Sequence, residues 1–511
     1  MVKRALLSLA LCAGCGGANV SETLNPTSFD ALVIEAPVAL KASPSFADER
    51  GGGIFVDPSG KVVRLRADGT VGRLESHPGN PTPAGAASAV WPLGPFTALV
   101  VTDRGFYVAE SGWLIQPTWR DALTPAGLKA TAAGDNGVAW LAHESGLFRL
   151  EDGVLSELKD GSSSITGLTG LAVAPSLSGA SAVWFAQGEK LSWAEQLTKT
   201  TFRIGDSGLP AGAVSSGITA LAGLSAAPKS PGELWAITNK VLWRLSEGTW
   251  RPYELGRTPR ELVSSGRVLW LRAGDGLFRY DADSKAWMEA KGLAAVPTLL
   301  AADATGAAWV RVGEKTSAVA AGVVGRVQGV FQSARIYASE LRVNASVPVA
   351  SKPTQMAFSV DDGAPVVVAA ADANPGQGAA ASQLFFSLAG VDSSGRDKPY
   401  SLAGLTDGLH TLKIVTRFAA GESQRLVHFD FRGGSNAQLS YEIDIKPIQT
   451  LRCDKCHVSG PGRDLSTFDK WVEFKEPISV AVGEQRMPAD GLLDPASIQK
   501  IQRWVASGAR P

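Results

Sequence analysis

The sequence predicts a multidomain, mainly β chain, with a seven-bladed β-propeller, then a β-sandwich, then a small all-α domain at the C-terminus. Three observations carry this. A large apolar residue ends a strand-like run at Phe55, Leu99, Trp140, Trp184, Trp235, Trp270 and Trp309, at intervals of 35 to 51 residues. From 326 to 433 that period is lost but apolar residues still alternate, as strands with one buried face require. A helical pattern is confined to the end of the chain, after the run Cys453-Asp-Lys-Cys456-His457.

At the N-terminus, Lys3 and Arg4 precede the apolar run Ala5 to Leu11, followed by Cys12-Ala-Gly-Cys15-Gly-Gly. This reads as an export signal, too short to span a bilayer. The residues around Cys15 resemble a bacterial lipoprotein processing site, with small Ala13 and Gly14 before the cysteine, although Cys12 stands where that motif usually has Leu. The resemblance implies a signal over 1–15 and a lipid on Cys15; plain secretion is the alternative. The lipoprotein assignment settles the cysteine count, because it removes Cys12 and lipidates Cys15. Of four cysteines, only Cys453 and Cys456 are left for chemistry, and no disulfide framework is available. No later stretch reaches the roughly 18 uninterrupted apolar residues of a membrane helix, so the expected membrane link is the lipid alone.

Residues 16–30, containing Asn, Ser, Thr and Pro26, read as a tether, and 31–325 as the propeller. The register is fixed by a second column seven residues after the first, namely Val62, Phe106, Leu147, Leu191, Leu242, Leu277 and Thr316. In Gly146-Leu-Phe-Arg-Leu and Gly276-Leu-Phe-Arg-Tyr a glycine turn leads into the next strand, the pattern of a hairpin. A period of about 40 residues made only of strand and turn belongs to propeller blades, not helical solenoids. The copies Val138-Ala-Trp-Leu-Ala-His-Glu-Ser-Gly-Leu-Phe-Arg-Leu and Val268-Leu-Trp-Leu-Arg-Ala-Gly-Asp-Gly-Leu-Phe-Arg-Tyr resemble the regulator-type propeller repeats of bacterial sensor kinases. A strand at Leu32 to Glu35 is placed to close the ring with the last blade. The repeated tryptophans are expected to pack blade on blade, because a regular repeat needs the same filler each time. His77 and His143 stand alone and are assigned no role.

Over 326–433 the alternating runs are Leu341 to Val349, Gln355 to Val360, Pro365 to Ala369, Leu384 to Leu388, Leu412 to Phe418 and Leu426 to Phe431. Their number and spacing fit a sandwich, and Gly408-Leu-His-Thr-Leu-Lys-Ile resembles a late strand of immunoglobulin-like domains. His410 and His428 are expected on a solvated strand face. Residues 370–381 read as a loop, and Gly433 to Gln438 as the linker to the last domain, 434–511.

In that last domain the Cys-x-x-Cys-His run is the attachment signature for haem c. Two thiols one helical turn apart can each add to a haem vinyl group while the adjacent imidazole of His457 reaches the iron. With 4 Cys and 5 His in 511 residues, the pattern arises by chance in roughly 2 of 10,000 shuffled chains. A zinc site would need further ligands nearby, and the sequence has none. The second axial ligand is expected to be Met487, thirty residues on, in Arg486-Met-Pro488, where the proline holds the methionine backbone extended. Asp494 and Pro495 read as a helix start and Gly508 as its stop, with Ile498, Ile501, Trp504 and Val505 on one face. Together with the approach Tyr441-Glu-Ile-Asp-Ile-Lys-Pro-Ile-Gln-Thr-Leu-Arg, this run resembles bacterial monohaem cytochrome c domains.

Net charge is zero, with 49 basic and 49 acidic residues, which excludes the electrostatic footprint of nucleic-acid binding. The function expected is that of an exported, lipid-anchored c-type cytochrome of the cell envelope. It would carry one covalent haem c with His457 and Met487 on the iron, and would pass electrons to a redox partner protein without catalysing bond-making. The alternative is a surface or periplasmic binding or sensor protein whose propeller recognises a partner and whose haem reports redox state. A propeller oxidoreductase feeding its own cytochrome would need an acidic or second-cofactor site, for which the sequence shows no cluster.

Overall fold

The computed structural model describes the chain from Glu22 onward except for short segments, the longest at 48–52, 66–70, 77–84, 321–325, 377–382 and 433–438. Outside the described residues lie 1–21, with the expected export signal, Cys12 and Cys15, and also His77, the expected linker 433–438 and Asp494.

The molecule is mainly β. Seven sheets follow one another at 46–72, 87–115, 128–160, 168–206, 218–254, 259–291 and 298–320, each an antiparallel meander of neighbouring strands, the arrangement of a β-propeller. The first repeated column falls in the second strand of every sheet. The second column falls in the third strand. The second strands are buried almost throughout, as in Glu233–Thr238 and Ala139–His143. They lie between neighbouring sheets on both sides, so they read as apolar runs where the outer strands, such as Thr249–Glu254, alternate.

The tryptophans pack sheet against sheet, as expected. Trp184 meets Trp250 edge to face at 6.1 Å, and Trp235 meets Tyr280 at 4.9 Å and Trp287 at 5.4 Å. Phe55 of the first sheet and Trp309 of the last stand 5.1 Å apart, so the last sheet is seated on the first. The last sheet supplies only three strands in sequence, and Leu32–Glu35 adds the fourth, antiparallel to Lys315–Ala320 with Leu32 opposite Ala320 and Glu35 opposite Ser317.

One expectation is corrected here. The tether at 16–30 is not a free linker beyond residue 21: Glu22–Thr23 runs parallel to Thr249–Glu254, and Thr27–Asp30 runs parallel to Ala286–Lys291. Phe29 also meets Trp270 at 6.3 Å. The open edges of the fifth and sixth sheets offer unpaired backbone groups to any extended segment, and such pairing needs no apolar period.

Beyond the propeller, Arg326–Gln328, Asn344–Pro348, Gln383–Ser387 and Asn374–Pro375 form one sheet. The facing sheet holds Ala334–Ile336, Gly421–Phe431, Gly408–Phe418, Pro353–Val360 and Val366–Ala369. Val347, Met356, Phe358, Phe386, Ile414 and Phe429 fill one core between them. Within the expected loop 370–381, Asn374–Pro375 pairs with Leu384 and Phe385 and so belongs to a sheet.

The histidines of these strands are also corrected. His410 and His428 are buried, not solvated. His410 lies against the Phe429 and Phe431 rings, with Nδ1 2.7 Å from the Asp361 carboxylate and Nε2 2.7 Å from the Thr406 carbonyl. His428 reaches out of the sandwich to Asp283 of the sixth propeller sheet, Nε2 standing 3.2 Å from Oδ2, while Thr411 Oγ1 lies 2.8 Å from its Nδ1. His410 shares the core face of its strand with Leu412 and Ile414, and His428 lies on the opposite face from Val427 and Phe429, covered by Asp283. The tertiary partners that cover them lie far away in sequence.

After residue 438 the described elements are helical: a π-turn at Tyr441–Ile445 runs into Lys446–Arg452, followed by Asp454–His457, Phe468–Glu473, Lys475–Gly483 and Pro495–Ala506. Tyr441, Ile445, Trp471, Ile501 and Trp504 form their shared core. Arg503 joins this part to the sandwich, donating from Nη1 to the Arg432 carbonyl at 2.6 Å.

Candidate functional site

The residues with the sharpest chemistry fall on one turn of backbone. Cys456 and His457 both donate their N–H groups to the Cys453 carbonyl, at 3.1 and 3.0 Å, and Val458 donates to Asp454 at 2.9 Å. Positions three and four apart share a helical face, so the two thiols and the imidazole are gathered on one side of Asp454–His457. Cys453 is half-buried against the helical core, Cys456 is exposed, and neither is in a disulfide. After the turn the chain returns, and Leu465 donates its N–H to the His457 carbonyl at 2.9 Å.

The return loop also orients the imidazole. His457 Nδ1 lies 2.6 Å from the Arg463 carbonyl. A carbonyl can only accept, so Nδ1 carries a proton, and in the neutral imidazole the lone pair is on Nε2. The Arg463 guanidinium lies 4.3 Å from the Phe474 ring centroid, which pins that residue from its other end.

Beneath the turn sits a buried polar knot that sequence reading did not find. Gln449, on the inner face of Lys446–Arg452, donates from Nε2 to Asp454 Oδ1 at 2.8 Å and to the Leu465 carbonyl at 3.1 Å, and accepts from the Tyr441 hydroxyl. Trp471 Nε1 donates to the same Leu465 carbonyl at 3.0 Å. Burial pushes the Tyr441 hydroxyl up to about 12, with the Glu442 and Asp454 carboxylates adding to it, so Tyr441 stays a hydrogen-bond donor. The Tyr441 and Trp471 rings are 6.2 Å apart, and Trp471 and Trp504 6.2 Å. The only sequence signal for Gln449 was a polar residue on the apolar side of a short helix, three residues before Arg452.

Met487 follows the helix Lys475–Gly483, donating its N–H to the Ala481 carbonyl at 3.3 Å, with an exposed side chain. The expected helix at the end is Pro495–Ala506, and its residues Ile501, Trp504 and Val505 are buried.

The donor set suits a covalent haem. Two thiols flank two intervening residues, one ring nitrogen is free to bind iron, and its other nitrogen is held by a carbonyl, as metal-bound histidines require. Leu451 and Val458, which bracket the turn, and Val480 and Met487 beyond it are exposed. Among the described residues there is no group of three or more His, Cys, Asp or Glu side chains that would hold a bare metal ion.

No protein-family model and no curated protein matches the chain. Among solved structures it is similar to the extracellular domain of a putative hybrid two-component system from B. thetaiotaomicron, at 9% identity, covering 80% of this chain and 60% of that one, with a TM-score of 0.41. It is also similar to YCF48 bound to D1 peptide, at 13% identity over 57% of this chain and 99% of that one, TM-score 0.39. A third is a calcium-binding protein, regucalcin, from Agrobacterium tumefaciens, at 14% identity over 49% and 88%, TM-score 0.31. The chain spans 60%, 57% and 56% of the first three structures, all B. thetaiotaomicron extracellular domains. At these scores the likenesses carry no functional argument, and the propeller rests on its own seven sheets.

Proposed function

We propose that the chain is an exported c-type cytochrome in which a seven-bladed propeller and an immunoglobulin-like sandwich carry a small C-terminal cytochrome domain with one covalent haem c. The observation that carries this reading is the single turn that gathers Cys453, Cys456 and His457, with Nδ1 of the histidine committed to the Arg463 carbonyl. Cys453 and Cys456 would hold the porphyrin through thioethers, and His457 Nε2 would hold the iron on one side. Met487 would supply its second protein ligand. When bound, the haem supplies a one-electron couple, and a His/Met pair leaves no open position for substrate and favours a high potential. The protein's part is to hold the two cysteines on one face, fix the imidazole tautomer, and cover the macrocycle with apolar side chains.

Thioether formation needs reduced thiols outside the cytoplasm, which agrees with the export signal and with a lipid on Cys15 that would keep the protein at the envelope. Reduction by ascorbate and reoxidation in a single one-electron wave, in protein made by a host with haem-attachment machinery, is the expected result. A haem-loaded protein that binds carbon monoxide readily and turns over peroxide would contradict the electron-carrier reading.

The sensor reading has one observation in its favour. Propeller, sandwich and helices are linked in series by specific part-buried bonds, His428 to Asp283 and Arg503 to Arg432, a route by which a partner on the propeller could be felt at the haem. Retention of one specific protein by residues 22–325 would support it.

A further inference from the structure

We infer that Gln449 is a positioning residue for His457: it ties the attachment turn to the return loop and so sets how strongly the Arg463 carbonyl pulls on the imidazole. This rests on the haem reading above. Among the described residues no hydrogen bond joins Gln449 to His457, and Gln449 acts through the loop.

The geometry leaves the side chain little freedom. The Asp454 carboxylate and the Leu465 carbonyl can only accept, so both must face the amide NH2, at 2.8 and 3.1 Å. The amide oxygen is then left to the Tyr441 hydroxyl. Three segments therefore meet at one buried side chain: the entry at Tyr441, the second residue of the Cys-x-x-Cys-His run at Asp454, and the far end of the return loop at Leu465. Leu465 is held twice over, its N–H on the His457 carbonyl at 2.9 Å and its carbonyl on both Gln449 and Trp471. Arg463, two residues earlier, presents its carbonyl to His457 Nδ1 at 2.6 Å. Without Gln449, Leu465 keeps only its bonds to Trp471 and the His457 carbonyl, and the loop that carries the Arg463 carbonyl is held less firmly.

A hydrogen bond at Nδ1 gives the imidazole more electron density to share with iron, which favours the ferric form. Loosening the loop should therefore raise the midpoint potential. Loss of packing alone would lower thermal stability and leave the potential in place.

The experiment uses the full-length chain with Gln449→Met, which keeps the length and apolar stem and removes both donors, and Asp454→Ala, which removes one of the two acceptors at a half-buried position. In haem-loaded protein the expected result is an upward potential shift in Gln449→Met and a smaller upward shift in Asp454→Ala. In protein made without haem, the Leu465 amide should exchange with solvent about tenfold faster in Gln449→Met. Unchanged potential with unchanged exchange at Leu465 would overturn the inference. If Gln449→Met does not fold, an Asp454→Ala protein with wild-type potential and exchange would do the same. Wild-type protein that never takes up haem would sink the haem reading instead, and the exchange measurement would still decide whether Gln449 governs the loop.

Discussion

Met487 is the residue on which the proposed second iron ligand rests. It is exposed and follows a helix end, a place from which a long, unbranched side chain can swing onto a haem face. Replacing Met487 with Ala should change the visible spectrum of the oxidised protein and open the iron to cyanide; an unaltered spectrum would assign the ligand elsewhere. Asp283 is the residue that joins propeller to sandwich. Burial alone would push its carboxyl up, but the His428 hydrogen bond and the Arg267 guanidinium, with Nε 2.8 Å from Oδ1, outweigh that and hold it below its ordinary value of 3.8. A carboxylate whose folded pKa is depressed adds stability above its unfolded value and loses it as pH falls through the folded one. Asp283→Asn should therefore cost about 2 kcal/mol at neutral pH, and the deficit should shrink in urea titrations run below pH 3.8. A deficit independent of pH would show that the charge is not what matters there.

At the scale of elements, the fifth and sixth propeller sheets share a buried knot. Glu233 accepts from Trp235 Nε1 at 3.0 Å, from Arg244 Nη2 at 2.6 Å and from the Tyr280 hydroxyl at 3.2 Å, while Arg244 lies over the Trp235 and Tyr280 rings. Glu233→Ala would leave a buried guanidinium without its carboxylate, at a cost of about 3–5 kcal/mol by chemical denaturation; a loss below 1 kcal/mol, the range of surface pairs, would show that water replaces the carboxylate. The N-terminal strands are the other joint. A chain beginning at residue 36 lacks Leu32–Glu35 and leaves Lys315–Ala320 as an open edge. It should melt at lower temperature and associate on heating, whereas an unchanged melting curve would mean that ring closure adds nothing.

The seven sheets were legible in the sequence because each must fill the same gap with the same kind of side chain, so Trp140, Trp184, Trp235, Trp270 and Trp309 recur in register. The strands at Glu22–Thr23 and Thr27–Asp30 were not, since they are held through backbone groups on an edge that any sequence can use. His410 and His428 were placed on the right strands, but their burial depends on Asp361 and Asp283, 49 and 145 residues away. The thiols and imidazole were legible because their spacing is the chemistry. Gln449 was not, because two of its three partners are a tyrosine eight residues before it and a carbonyl sixteen residues after.

At the scale of the whole molecule, a propeller, a sandwich and a cluster of short helices are linked in series, and the proposed redox chemistry is confined to the last part. On this proposal the turn at 453–457 would receive one covalent group whatever the propeller binds. The most direct measurement is the mass of the mature protein, taken from its native envelope after denaturation and treatment with an alkylating agent. The account predicts a chain heavier by one haem, with Cys453 and Cys456 both resistant to alkylation. A colourless chain carrying an alkyl group on each of those two sulfurs would contradict it.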